Sequence, residues 1–261
     1  PAMFLVLLLL SSCGTVCSEV VKQVVYTSWW PPGTEKQAES VGIISRGSLF
    51  CTGMMETNGT VQNQVELELQ DVHDIAVNAS TSLDSLVECL VNIPPGDYDT
   101  EVRAAFNRVL GANNSPVLTV IPTAGEFAIF NSSVSCVALA PATTKRRIAV
   151  SDDCDAIATD AAPGDSGSTG RLWFSGRSNL QRTDVVFQDL LSAVKQAGGA
   201  GAADVVDCIL FVPSRTAAQQ ARLHFQQVFS PASTALTVVV LGNFQERSSS
   251  SVLRGQEEEK E

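Results

Sequence analysis

The sequence predicts an α+β protein made of two tandem domains, each a mixed β-sheet with two helices packed on one face. The first observation is an internal repeat, because residues 87–93 (VECLVNI) and 206–212 (VDCILFV) share one pattern. The second is that other segments, such as residues 47–53 and 170–176, recur in the same order at nearly constant spacing. Such recurrence indicates a duplicated unit of about 110–120 residues, large enough to bury its own core.

The first half follows the order β-β-β-α-β-α-β-β. Each helix is predicted from apolar residues at helical spacing, and the continuous apolar segment at residues 86–93 predicts a buried strand. The expected elements are strands at 24–26, 41–45, 48–55, 86–93, 117–121 and 127–140, with helices at 65–79 and 99–110. Runs of strands interrupted by two helices are typical of a sheet covered on one face.

The second half repeats this order with weaker signals. The expected elements are strands at 147–150, 165–170, 172–175, 205–212, 235–241 and 244–253, with helices at 184–197 and 216–229. The second and final strands of this half, at residues 165–170 and 244–253, are rich in glycine or serine. We therefore expect the second half to be eroded at both places.

Composition limits the possible functions. The chain has 261 residues, 44% hydrophobic residues and a net charge of −11. This charge argues against a nucleic-acid partner, since phosphate binding needs clustered basic residues. The only dense basic cluster, Lys145-Arg146-Arg147, is expected to be a solvated linker between a first domain at 21–140 and a second at 145–245. Residues 246–261 read as an acidic, disordered tail.

Residues 1–18 resemble a targeting segment. The apolar run at residues 4–10 is too short to span a bilayer but resembles the centre of a secretory signal, with possible cleavage after Cys17. Two alternatives remain open: a lipid anchor at Cys13, or a strand of the first domain. We expect a secretory, extracellular or organellar location and no transmembrane segment. The candidate glycosylation sites are Asn58, Asn78 and Asn131.

The seven cysteines do not have the spacing of a metal site, and the sequence predicts neither a metal nor a cofactor. Cys89 and Cys208 occupy equivalent positions in apolar segments, which predicts buried thiols. If the chain is exported, Cys51, Cys136 and Cys154 are candidates for disulfides, with the pairing left open.

The first half resembles a known family. The residues that carry the resemblance are Val24–Thr27, then Val41–Gly53 (VGIISRGSLFCTG), an amphipathic helix, and Leu86–Ile93. In this order they resemble the RidA (YjgF/YER057c/UK114) family, which is similar in fold to chorismate mutase. The resemblance covers residues 21–140 well and 146–241 more loosely.

The resemblance implies a trimer with ligand pockets between subunits and hydrolysis of reactive enamines and imines derived from amino acids. It also implies an arginine after the second helix that binds the substrate carboxylate, and a carboxylate on the last strand that helps to position water. Leu118 in the first half and Ser233 in the second stand where the arginine is expected. Leucine cannot pair with a carboxylate, and serine offers only a weak hydrogen bond.

We therefore expect a non-catalytic scaffold, assembly subunit or small-ligand-binding protein without catalytic residues. Its partners would be further copies in a trimer-like or pseudo-trimeric ring, or a larger protein complex. The candidate ligand-binding residues are Arg177, Thr119, Ser135 and Ser233. One alternative is an enamine or imine deaminase that uses displaced residues such as Arg177, and a second is a secreted or lipid-anchored binding protein.

Overall fold

The computed structural model describes residues 2–7, 22–25, 27, 41–45, 47–53, 58–123, 132–139, 144–160, 170–179, 183–229 and 234–241. Twelve strands and four α-helices lie within these ranges. In chain order they are β1 (Ala2–Leu7), β2 (Lys22–Val25), β3 (Gly42–Ser45), β4 (Ser48–Thr52), α1 (Val61–Asn78), β5 (Leu86–Ile93), α2 (Asp99–Leu110), β6 (Val117–Pro122), β7 (Ser133–Leu139), β8 (Lys145–Ile148), β9 (Cys154–Thr159), β10 (Arg171–Asn179), α3 (Thr183–Gln196), β11 (Asp207–Val212), α4 (Arg215–Phe229) and β12 (Ala235–Val240).

The first half forms one mixed six-stranded sheet in the order β2-β3-β4-β7-β5-β6. Its neighbouring strands are antiparallel except β5 and β6, which are parallel because α2 connects them. The helices α1 and α2 cover one face, where Leu69, Val72 and Phe106 are fully buried. The opposite face of the sheet we call the open face.

The second half has the same topology, in the order β8-β9-β10-β1-β11-β12. Again the only parallel pair is the last, β11 with β12. Helices α3 and α4 cover one face around Phe187, Phe225 and Phe229. The predicted α+β class with two similar domains is confirmed.

The strand β1 takes the place in the second sheet that β7 takes in the first. It is antiparallel to both neighbours, β10 and β11, as β7 is antiparallel to β4 and β5. Leu7 lies opposite Phe174 on β10, just as Cys136 lies opposite Cys51 on β4. The expectation that residues 1–18 lie outside both domains is therefore wrong for residues 2–7. A β-rich apolar segment forms favourable hydrogen bonds in a central position between two strands.

The predicted erosion of the second half is also corrected. The strand between β8 and β10 is β9, in the place that the sequence assigns to residues 165–170, of which only residue 170 is among the described residues. The acidic sequence around Asp152–Asp155 suggests a loop, yet Ala156, Ile157 and Ala158 directly after it are buried in the sheet. The final strand predicted at residues 244–253 also lies outside the described residues, and β1 occupies the equivalent position.

Local signals predict most of the remaining elements well. The bounds of α2 agree with the prediction, while α1 begins earlier than expected because the Thr60 hydroxyl accepts a hydrogen bond from the amide of Asn63. The apolar positions predicted to face inward on α3, including Val186, Leu190 and Val194, are buried. No helix in the described ranges is long and apolar enough to cross a membrane.

The cysteines differ in part from expectation. Cys89 and Cys136 are directly opposite on β5 and β7 and form a disulfide, so the prediction of a Cys89 thiol is wrong. Cys208 is a buried thiol as predicted, and Cys51 and Cys154 are also free. The difference between Cys89 and Cys208 follows from the neighbouring strand: β7 supplies Cys136 next to Cys89, whereas β1, with the sequence AMFLVL, contains no cysteine to pair with Cys208.

Candidate functional site

The two halves meet along one edge of the first sheet. Val87, Val117 and Leu139 of the first half pack against Ile157 and Trp173 of the second in a separate apolar cluster. Beside this cluster, Thr119 Oγ1 donates a 2.8 Å hydrogen bond to Ser175 Oγ, and both residues are buried. The halves therefore form a packed interface.

Basic side chains of the second half extend across this interface. Lys145 Nζ donates to the carbonyls of Leu86 and Asn114, each at 3.0 Å, and Arg147 donates to the carbonyl of Ser115. The cluster predicted to be a solvated linker is therefore the strand β8. Its cations provide charge-assisted hydrogen bonds to backbone oxygens at the start of β5 and in the turn before β6.

A small cleft, partly open to solvent, lies beside the interface. The first half contributes α2 and β6, and the second contributes the start of β9 and the middle of β10. The residues that line it are Asp99, Arg103, Leu118, Val120, Asp153, Asp155, Ser175 and Arg177.

Ion pairs cross this cleft. Arg177 lies 2.9 Å from Asp99 Oδ2, and the same oxygen lies 2.9 Å from Arg103 Nε. Arg103 also binds Asp155 at 3.0 Å, and the second oxygen of Asp155 lies 3.0 Å from Arg147. A longer contact of 3.5 Å joins Arg177 to Asp153. Each guanidinium in the network thus has a carboxylate partner.

The network keeps its charges because they compensate one another. Burial disfavours the charged form of Arg103, but hydrogen bonds and attraction from Asp99 and Asp155 outweigh that effect and raise the Arg103 pKa. A bound carboxylate would have to displace Asp99 or Asp155 from its arginine. The cleft is consequently better suited to joining the two halves than to attracting an anionic ligand.

The structure brings some of the predicted site residues together. Leu118 and Arg177 both line the cleft, and Thr119 lies next to it through its bond to Ser175. Ser135 does not line the cleft; its hydroxyl is 3.0 Å from that of Thr52 on the open face of the first sheet. Ser233 lies outside the described residues.

The strand register identifies a different counterpart of Leu118 in the second half. Leu118 lies opposite Cys89, and Leu236 lies opposite Cys208, the repeat equivalent of Cys89. Leu236 therefore takes the position that sequence spacing assigns to Ser233. Both halves have an aliphatic residue at the position where the resemblance implies an arginine.

Sequence reasoning missed four residues of the network, Asp99, Arg103, Asp153 and Asp155. Asp99 and Arg103 are four residues apart on α2, and that spacing predicts an ion pair on a helix. The sequence does not reveal that Asp155 of the second half reaches the same arginine, because the contact depends on how the halves pack.

A buried carboxyl lies close to the interface. Glu88 is on β5 opposite Val117 and Val137, is 4% exposed, and has no hydrogen-bond partner for either oxygen among the described residues. Burial raises the Glu88 pKa to about 8, so the group is largely protonated at neutral pH. Its counterpart in the second half is Asp207, whose pKa burial also raises.

The candidate glycosylation sites can be located in part. Asn58 and Asn78 are exposed, at the turn before α1 and at its last residue, and the Asn78 amide donates to the carbonyl of Asp74. Asn131 lies outside the described residues.

No family model and no curated protein sequence matches this chain. Solved structures similar to it include a Rid family protein from Yersinia pestis, with 16% identity and a TM-score of 0.41, covering 46% of this chain and 99% of its own. A member of the YjgF/YER057c/UK114 family from Mycobacterium tuberculosis has 13% identity and a TM-score of 0.39, with coverages of 46% and 99%. A putative endoribonuclease from Thermotoga maritima has 20% identity and a TM-score of 0.40, with coverages of 46% and 98%.

Each of these solved proteins is about the size of one half of the present chain. The motifs quoted from the sequence and the order of strands and helices agree in both halves of the structure. The two halves of the chain therefore share one topology.

Proposed function

We propose that this protein is a non-catalytic RidA-like scaffold or assembly subunit. The observation that carries the proposal is the contact of Arg177 with Asp99 at 2.9 Å. It crosses a cleft that is lined by Leu118, the residue that stands where the resemblance implies an arginine. The arginine that could hold a substrate carboxylate is engaged by the protein's own carboxylate. A cleft of this kind stabilises the arrangement of the two halves.

The proposal can be tested with the purified full chain, freshly generated 2-imino acids and an active RidA-family enzyme as the positive control. We expect hydrolysis at the buffer rate. Turnover that disappears in Arg177→Ala but persists in Arg108→Ala would contradict the proposal. Arg108 is a suitable control because it pairs with Glu66 on the helix layer, away from the cleft.

The main alternative is an enamine or imine deaminase with displaced residues. The presence of Arg103, Arg177 and two hydroxyls, Thr119 and Ser175, at one interface favours this alternative. It requires Asp99 to release Arg177 when a substrate carboxylate enters. The same assay distinguishes the two, since an enzyme shows saturation with substrate and a scaffold shows none.

We further propose that the protein matures in an oxidising compartment. The Cys89–Cys136 disulfide and the exposure of Asn58 and Asn78 support this proposal. The pairing of residues 2–7 in the second sheet implies that cleavage after Cys17, or processing at Cys13, would remove a strand. The test is mass spectrometry of the native protein, before and after glycosidase and reduction, which should find the disulfide and residues 2–7 in the same molecule.

A further inference from the structure

Three cysteines lie side by side across the first sheet. Cys51 on β4 is directly opposite Cys136 on β7, and Cys136 is directly opposite Cys89 on β5. All three belong to one apolar core, on the face that α1 and α2 cover, and none is more than 4% exposed. We call these three residues the sulfur row. Cys136 is its middle member and therefore has a cysteine on each side.

The sulfur row contains one disulfide and one thiol. Cys136 is bonded to Cys89, while Cys51 is free. The Cys51 sulfur donates a hydrogen bond of 3.5 Å to the Cys136 carbonyl oxygen, so the free thiol lies beside a residue of the disulfide. A thiol next to a disulfide is the arrangement from which thiol–disulfide exchange proceeds.

The backbone allows a disulfide on either side of Cys136. The Cα atoms of Cys89 and Cys136 are 4.1 Å apart, which is the narrow kind of antiparallel pair. Gly53 donates its N–H to the Val134 carbonyl at 3.0 Å, which makes their pair the wide, hydrogen-bonded kind. Cys51 and Cys136 lie two residues along the same strands, so their pair is also wide. Wide pairs have Cα atoms about 5.5 Å apart, within the range that disulfides span.

We propose that the sulfur row is a thiol–disulfide exchange site, in which the bond to Cys136 moves between Cys89 and Cys51. In the forward step the Cys51 thiolate attacks the Cys136 sulfur, the bond between Cys136 and Cys89 breaks, and Cys89 leaves with the electron pair. The proton that Cys51 has lost is taken up by Cys89. One disulfide and one thiol are present before and after the step, so it needs no oxidant and no reductant.

Loop length favours neither disulfide strongly. The bond to Cys89 joins residues 47 apart in the sequence, and a bond to Cys51 joins residues 85 apart. The entropy of loop closure changes slowly with length, so the two bonds restrict the unfolded chain to a similar extent. The local geometry of each pair and the packing of the released thiol therefore decide between them.

Burial makes the exchange slow while the core is closed. It raises the pKa of the Cys51 thiol to about 12, and the attacking species is the thiolate. The exchange therefore takes place when the helix layer opens over the sheet. Its consequence reaches the second half, because β5 also carries Val87 into the contact between the halves. Moving the bond from β5 to β4 removes a covalent link from the strand that makes this contact.

Disulfide mapping of the full chain tests this proposal independently of any role as a scaffold. The oxidised protein is incubated without added thiol, at a denaturant concentration below its unfolding transition, then quenched with acid, alkylated and digested. We expect peptides with the Cys51–Cys136 bond and an alkylated Cys89 to increase with time. In Cys51→Ser, Cys89 should stay bonded throughout. The proposal is overturned if Cys89 is never released from the unmodified chain, or is released equally in Cys51→Ser.

Variants of the other two cysteines test the alternative bond directly. After reduction and reoxidation with oxidised glutathione, Cys89→Ser should contain the Cys51–Cys136 disulfide. Cys136→Ser is the matched control and should contain no bond between Cys51 and Cys89, because β7 separates their strands. If Cys89→Ser does not fold, Cys89→Ala tests the same pairing. A folded, oxidised Cys89 variant in which Cys51 and Cys136 remain unpaired also overturns the proposal.

Discussion

Thr119 and Ser175 form a buried hydrogen bond of 2.8 Å between the two halves of the chain. Both residues are buried, and each hydroxyl has the other as its hydrogen-bond partner. The bond lies between the apolar cluster around Trp173 and the ion pairs around Asp99, and thus links the two parts of the interface. By strand register, the residue equivalent to Thr119 in the second half is Thr237, and the residue equivalent to Ser175 in the first half is Thr52. Both of these equivalents are exposed.

Replacing one partner of this pair should destabilise the protein more than replacing both. Ser175→Ala or Thr119→Val should each cost about 1–3 kcal/mol, because each leaves a buried hydroxyl without a partner. The double variant should cost less than the sum. Denaturant unfolding of all four proteins measures the coupling. As a control, the Thr52–Ser135 pair is exposed on the Thr52 side, and its coupling should be close to zero.

Introducing the missing arginine should not create an enzyme. In Leu118→Arg the new guanidinium enters a cleft where every carboxylate among the described lining residues already contacts an arginine. We expect the variant to fold and to show imine hydrolysis at the buffer rate. The double variant Leu118→Arg/Arg177→Ala has only one of these two arginines in the cleft. Comparing it with the single variant shows whether two neighbouring guanidinium groups hinder each other. Clear turnover by the single variant would show that a base is already in place.

Glu88 should make stability depend on pH. Its pKa is raised to about 8 in the folded protein, above the ordinary value of a glutamate, so the folded state holds a proton that the unfolded state loses first. Stability is then fully present below the unfolded pKa and decreases as pH rises toward 8, by up to about 1.4 kcal/mol per pH unit. Glu88→Gln should remove this slope.

Unfolding curves from pH 5 to pH 9 test this prediction. The free energy of unfolding of Glu88→Gln should exceed that of the unmodified chain most at the alkaline end. Glu101→Gln is the control, because it makes the same substitution at an exposed position on α2. Equal slopes in the unmodified chain and Glu88→Gln would show that another group carries the dependence.

Interrupting β1 should destabilise the second half. Val6 pairs with Ser175 on one side and Ile209 on the other, so Val6→Pro removes a hydrogen-bond donor from a central strand. We expect a loss of about 3 kcal/mol or more, by analogy with proline in other regular elements. Val252→Pro is the control, since residue 252 lies in the segment from which the sequence predicts the final strand. If Val252→Pro lowered the melting temperature more than Val6→Pro, the strand between β10 and β11 would be assigned to residues 244–253 instead of β1.

The sequence alone is sufficient to predict the duplication, the α+β class and most of the elements. Apolar spacing locates α1, α2, α3 and α4 because a helix that packs on a sheet must repeat its buried side every three or four residues. Turn residues such as Pro94 and Gly96 mark strand ends for an equally local reason. The aliphatic residue at Leu118 is also visible without a structure.

Only the tertiary structure decides which distant segments meet. Residues 2–7 enter the sheet formed mainly by residues 145–240, and no local pattern links a strand to a partner so far along the chain. Cys89 forms a disulfide while Cys208, in a similar local sequence, does not, because the neighbouring strand β7 supplies Cys136 in one case and the neighbouring strand β1 has no cysteine in the other. Arg177 is neutralised by Asp99 of the other half. Propensity and periodicity act over a few residues, whereas sheet order, disulfide pairing and the contents of the cleft depend on contacts that exist only after the halves have packed.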